Sequence, residues 1–203
     1  REGSAHAGAA NVFVSWYFDT PIATLLAALE SYLVVEGLPC KTTYFWICDF
    51  VIRQHDVKPD LVWLGECVAA VGRTALLTEP WDKPGALERA YCIQEVYETQ
   101  RSGSRFDLAM SAAQESAFRS KLADSANGGP QYGGPQYARA AFNRVNVSQA
   151  TCRNAEETER IMGMLRSLPN GIEKCNENVR SLLKSKMEDR QLGSEGAKKV
   201  AAA

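Results

Sequence analysis

Thr74-Ala75-Leu76-Leu77-Thr78 and Phe106-Asp107-Leu108-Ala109-Met110 bracket the stretch that decides the fold. Both are short, largely apolar runs without polar alternation, the pattern of strands covered on both faces. Between them lie a loop from Glu79 to Gly85, with Pro80 and Pro84 toward its two ends, and a helical segment from Ala86 to Thr99. A strand, a helix and a further strand of this kind make a right-handed crossover between parallel neighbours.

Outward from this unit the alternation continues. Val12-Phe13-Val14-Ser15-Trp16 reads as a buried strand. A helix follows, with Asp19 or Thr20 as its cap, Pro21 in its first turn and Gly37 at its end. Ile22, Leu25, Leu26, Leu29 and Leu33 form its apolar stripe, opposite Thr24, Ala27 and Ser31. Thr42 to Cys48 is aromatic and β-branched, as strands prefer. A helix is expected from about Asp60 to Val71, stopped by Gly72, and another from Ala112 to Ala123. The expected fold is therefore an α/β doubly wound parallel sheet of four to five strands, with a C-terminal helical appendage. In such sheets ligands sit beyond the carboxyl ends of the strands, which gathers loops 15–20, 49–59 and 79–85.

The remaining segments divide the chain into a disordered start (1–11), the α/β domain (12–125), a loop (126–138), a last strand with C-terminal helices (139–188) and a mobile tail (189–203). The loop contains Gly128-Gly129-Pro130-Gln131-Tyr132 and an immediate repeat from Gly133 to Tyr137, a composition that cannot bury a core. Val145-Asn146-Val147 reads as the last strand. Asn154 to Leu168 and Ile172 to Met187 read as helices, broken at Pro169-Asn170-Gly171.

Bulk properties narrow the function. The 203 residues carry 23 Lys+Arg against 24 Asp+Glu, a net charge of -1, so the basic footprint of a nucleic-acid binder is missing. No stretch reaches the roughly 20 apolar residues of a membrane span. Six cysteines without a CxxC pair, and only two histidines, argue against a zinc site of standard spacing. Reduced thiols and a cytoplasmic setting are the expectation. The chain opens on Arg1 without a signal-peptide core or an initiator Met, which reads as a piece of something longer. There is no GxxxxGK[ST] loop, GxGxxG fingerprint, GxSxG elbow or HExxH pair.

Tyr91, Cys92 and Glu95 give an aromatic-Cys-x-x-Glu run on the helix after the third strand. Together with a first strand ending in Ser15 and a first helix ending at Gly37, this resembles a TIR-like domain over residues 11 to about 123. The likeness is to TIR-like modules of unicellular algae, often joined to helical repeats in a longer chain, and it extends into Phe142 to Met187. The resemblance implies a flavodoxin-like sheet and self-association through TIR-type surfaces. It also implies that NAD is a possible substrate, with no bound cofactor. Glu95 would be the catalytic carboxylate and Tyr91 an aromatic neighbour four positions earlier. Trp16, Tyr17 and Trp81, with Ser15 at the strand end, would line the substrate cleft. Tyr91 stands where such enzymes usually have Trp, and the loop from Trp16 to Pro21 lacks their basic and glycine residues.

A carboxylate beside a ribose stabilises the cation that builds as the nicotinamide bond breaks, and aromatic planes stack on bases. The plainer reading also stands: Glu95 shares a helical face with Glu88, Tyr91 and Glu98, and a row of glutamates is commonly a solvated surface. On that reading the domain is a non-catalytic interaction module docking through loop 49–59. A receiver-type domain is disfavoured because Ser15 and Thr78, not acids, end the first and third strands. Cys92 is expected to pack rather than react, Trp46 and Trp63 to be core, and Arg53, His55 and Asp56 to be a solvated loop.

Overall fold

The computed structural model describes residues 7–52, 62–127 and 145–201. Its centre is a four-stranded, all-parallel sheet: β1 (Val12–Ser15), β2 (Phe45–Ile47), β3 (Arg73–Leu77) and β4 (Arg105–Ala109), in the order β2-β1-β3-β4. Phe13 pairs with Trp46 on one side and Thr74 on the other, and Leu76 with Leu108. Stepping from β1 outward to β2 and then back across to β3 reverses the winding, so helices cover both faces. α1 (Ile22–Val35) and α5 (Ala112–Asn127) lie on one face, α3 (Leu64–Val71) and α4 (Ala90–Arg101) on the other. A short α2 (Cys48–Val51) follows β2 directly, and α6 (Ala155–Ser167) and α7 (Gly171–Ala201) pack on α4.

The period-2 geometry of β1 sorts its side chains. Val12 and Val14 face α1, packing with Leu25, Ala28, Leu29 and Tyr32. Phe13 faces α3, against Leu64 and Val68, and stacks on Trp46 at 4.6 Å. The largest cluster lies on the α4 face, where Leu76, Phe106 and Leu108 meet Ile93 and Val96 and then Ile161, Leu165, Val179 and Leu183 of α6 and α7. Each fully buried Leu or Phe contributes about 1.5–3 kcal/mol, so the C-terminal helices belong to the core. Gly37 (φ 63°) and Gly72 (φ 73°) adopt left-handed conformations just past α1 and α3, where a Cβ would be strained.

Several expectations are corrected. Neither Asp19 nor Thr20 caps α1: a turn bonds Thr20 N–H to Tyr17 O, and Asp19 instead accepts the Tyr17 hydroxyl at 2.6 Å. Its apolar stripe is displaced, with Leu25, Ala28, Leu29 and Tyr32 buried and Ile22 and Leu26 exposed. The segment from Ala86 is not one helix: a 3-10 turn (Gly85–Glu88) is broken from α4 by Arg89 in extended conformation. The cause is long-range, because Thr151 donates to Glu88 O and accepts from Ala90 N–H. Val145 to Val147 is not a strand. Its backbone is taken by α7 side chains, Arg180 donating to Val145 O and Asn176 accepting from Val147 N–H at 2.8 Å. The second helix of the C-terminal pair does not stop at Met187 but runs to Ala201. Trp63 is 56 % exposed rather than core. The GGPQY repeat and the Arg53–Asp56 loop lie outside the described residues.

α7 also explains how the open side of β4 is protected. An edge strand left bare invites intermolecular pairing, and proteins cover it with a helix or with charge. Here Lys186 reaches Asp107 at 2.5 Å, and Arg190 donates to Leu108 O and pairs with Glu115. Asp107 also holds Arg73 and Arg105, which share Glu36. Among the described residues no helix is long and apolar enough to cross a membrane.

Candidate functional site

The carboxyl ends of β1 and β2 open into a cleft of about 240 Å³. Its walls come from four places: Trp16 and Phe18 after β1; Cys48, Asp49 and Ile52 after β2; Arg89, Tyr91, Cys92 and Glu95 around the start of α4; and Arg153, Asn154 and Glu157 at the start of α6. The fold dictates the first three, since every strand of a parallel sheet ends on the same side. The fourth is brought in by the pairing of Thr151 with Glu88 and Ala90.

Glu95 is the central group. It is 5 % exposed, and the buried Ser15 hydroxyl donates to its Oε2 at 2.5 Å. Burial pushes its pKa up to about 8, with the Asp49 charge adding and the Ser15 hydrogen bond opposing. A buried carboxyl that holds a proton near neutrality, yet ionises when a cation approaches, is suited to stabilising developing positive charge. Asp49 lies at the same end, accepting from Trp16 Nε1 at 2.8 Å and from the Cys48 thiol at 3.4 Å. The Trp16 bond holds its indole on the rim.

Of the residues expected to line a substrate cleft, the structure brings Trp16, Tyr91 and Glu95 together. Tyr91 is anchored by Arg160, whose Nη2 donates to its hydroxyl at 3.0 Å. Ser15 sits beneath Glu95 as its hydrogen-bond partner rather than on the wall. Tyr17 and Trp81 are not wall residues. Tyr17 packs against Gly85 and under the Arg89 guanidinium at 5.5 Å. Trp81 is buried edge-on to Phe118, at 5.4 Å, in the core. A bulky indole on a loop contributes more stability under a helix than in water.

The solvated-row reading of the glutamates does not hold for this helix. Glu95 and Glu98 are buried, and Glu98 is closed by Arg101 at 2.6 Å. Cys92 is buried and donates to Trp16 O at 3.2 Å, and burial followed by the neighbouring Glu95 charge pushes its thiol pKa well up. That thiol is a packing group, not a nucleophile. Among the described residues no cluster of three or more His, Cys, Asp or Glu could hold a metal ion.

Two of the three loops expected at the strand ends, 15–20 and 49–59, do line the cleft, though Phe18 and Asp49 were not singled out in them; loop 79–85 supplies no wall residue, and Arg89, Arg153, Asn154 and Glu157 were missed. One signal was available: Asn154 with Glu157 three residues on is a helix-start pattern, and Asn154 Oδ1 does accept from Glu157 N–H at 2.8 Å. Nothing local says that this helix start abuts the cleft.

The fold and site together define a class: an α/β protein with a buried carboxyl at the carboxyl-end cleft of a parallel sheet. No protein-family model matches the chain, nor does any curated protein or solved structure.

Proposed function

We propose that the protein is a TIR-like, flavodoxin-like domain that hydrolyses NAD to nicotinamide and ADP-ribose in this cleft. The observation that carries the reading is the Glu95 carboxyl, buried over Ser15 and facing a cleft walled by Trp16, Phe18 and Tyr91. The strand order β2-β1-β3-β4 supports the same reading. In the reaction the bond between ribose C1′ and the nicotinamide nitrogen breaks, and its electron pair leaves with neutral nicotinamide. Glu95, its proton released to solvent as the cationic substrate binds, lowers the energy of the ribosyl cation. Water adds at C1′ and its proton passes to solvent. The aromatic side chains hold the planar rings.

The test is nicotinamide release from NAD at high protein concentration. Wild type should release nicotinamide, and Glu95→Ala should lose at least about a hundred-fold in rate, the scale of one electrostatic stabiliser. Equal background from both proteins ends the catalytic reading.

A second reading, a self-associating interaction module, is favoured by exposed apolar side chains at the start of the expected docking loop, Phe50 (65 % exposed) and Val51, and shortly after it, Val62 and Trp63. Here the occupant is a second copy of the chain. Sedimentation should then show concentration-dependent association that Phe50→Ser weakens and Glu95→Ala leaves alone. A concentration-independent monomer would eliminate it.

A further inference from the structure

We infer that Arg89 and Arg153 form an anion subsite at the edge of the cleft, built for the diphosphate of a nucleotide. The inference deepens the nucleotide reading of the site and rests on it. Arg89 is the extended residue between the 3-10 turn and α4, and the backbone pairing of Glu88 and Ala90 with Thr151 draws the chain up to Arg153 alongside it. Both side chains line the cleft. Each guanidinium is supported by an aromatic ring rather than an acid: Arg89 lies over Tyr17 at 5.5 Å, and Arg153 over Phe18 at 4.0 Å. Among the described residues neither has an ion-pair partner. This contrasts with Arg73, Arg105, Arg119, Arg166 and Arg190, all of which hold carboxylates.

Guanidinium groups stacked on rings keep their planar N–H forks free, and those forks match phosphate oxygens in pairs. Two of them in one cleft suit the two phosphates of a diphosphate. Three acids share the cleft. Asp49 accepts from Trp16 and the Cys48 thiol, and Glu95 leans towards its neutral form. Glu157, on the first turn of α6, is the remaining carboxylate on the wall. Asp49 and Glu95 thus lie towards the strand ends, and the two cations lie at the Arg89–Thr151 seam, with Glu157 on the adjoining turn of α6. A ligand with a cationic ring at one end and a diphosphate in the middle would satisfy both.

The experiment is calorimetric titration of ADP and of adenosine into the full chain and into Arg153→Gln, with nicotinamide release from NAD measured on the same samples. A diphosphate site predicts ADP binding at least about ten-fold tighter than adenosine, the lower end expected from charge-assisted hydrogen bonds. Arg153→Gln should erase most of that ratio, while Arg153→Lys, which keeps the charge but not the fork, should retain part of it. Arg153 is exposed, so these variants should fold, and unchanged circular dichroism melts check that. Equal affinity for the two ligands, no binding of either, or an ADP preference untouched by Arg153→Gln would overturn the proposal. The two readings separate cleanly. An arginine-dependent ADP preference without NAD cleavage upholds the subsite and rejects the hydrolase. Cleavage without that preference does the reverse.

Discussion

Glu95 shows how one side chain links stability to chemistry. Its pKa rises from 4.5 to about 8 on folding. Between those values the unfolded chain has lost the proton while the folded chain keeps it. The stability that protonated Glu95 contributes is therefore complete below about pH 4.5 and drains away as the pH climbs to about 8. The slope is about 1.4 kcal/mol per pH unit across that window. Glu95→Gln cannot ionise, so its urea midpoint should stay flatter between about pH 5 and pH 8 while that of wild type falls. Parallel curves for the two proteins would mean that the carboxyl is solvated. Ser15 matters here for a reason sequence could not supply. It is the donor that moderates the pKa of Glu95 across a separation of 80 residues.

At the scale of elements, the telling departure is α7 lying along β4. The sequence read as a sheet with one more strand, Val145 to Val147, followed by helices and a loose tail. Val145 and Val147 are buried, but not as a strand, because Asn176 and Arg180 outcompete any strand for the backbone groups. The sheet edge is closed instead by Lys186 and Arg190, with Asp107 at the centre of the ion network. Burial works to raise the Asp107 pKa, yet Lys186, Arg73 and Arg105 together hold it below its ordinary value. Its contribution is thus present above the unfolded value of about 3.9 and is lost as pH falls through the lowered folded one. Asp107→Asn should cost about 3–5 kcal/mol at neutral pH, as removal of one partner strands buried charge. It should also blunt acid denaturation. A variant as stable as wild type in urea at neutral pH would show the network to be inconsequential.

For the whole molecule, the α/β domain and the C-terminal helices are one body. Cys175, Val179, Leu183 and Met187 of α7 sit in the same cluster as Leu76, Ile93 and Leu108. A chain ending at Leu168 would expose that face and the β4 edge together. It should lose its cooperative thermal transition and aggregate, whereas truncation of a mere appendage would leave the melt unchanged. The same union completes the cleft, because Arg153, Asn154 and Glu157 come from the segment entering α6.

The alternation of apolar runs with amphipathic stretches, and the turn residues between them, were enough to call for a parallel sheet with helices on both faces. Helical spacing alone put Tyr91 and Glu95 one turn apart. Periodicity says which residues share a face, but not what covers that face. Whether Glu95 met water or Ser15, whether Trp81 joined the cleft or the core, and whether Arg153 lined the same cleft as Arg89 depended on contacts between segments distant in the chain. Those contacts follow from how the C-terminal helices pack, which no local pattern encodes.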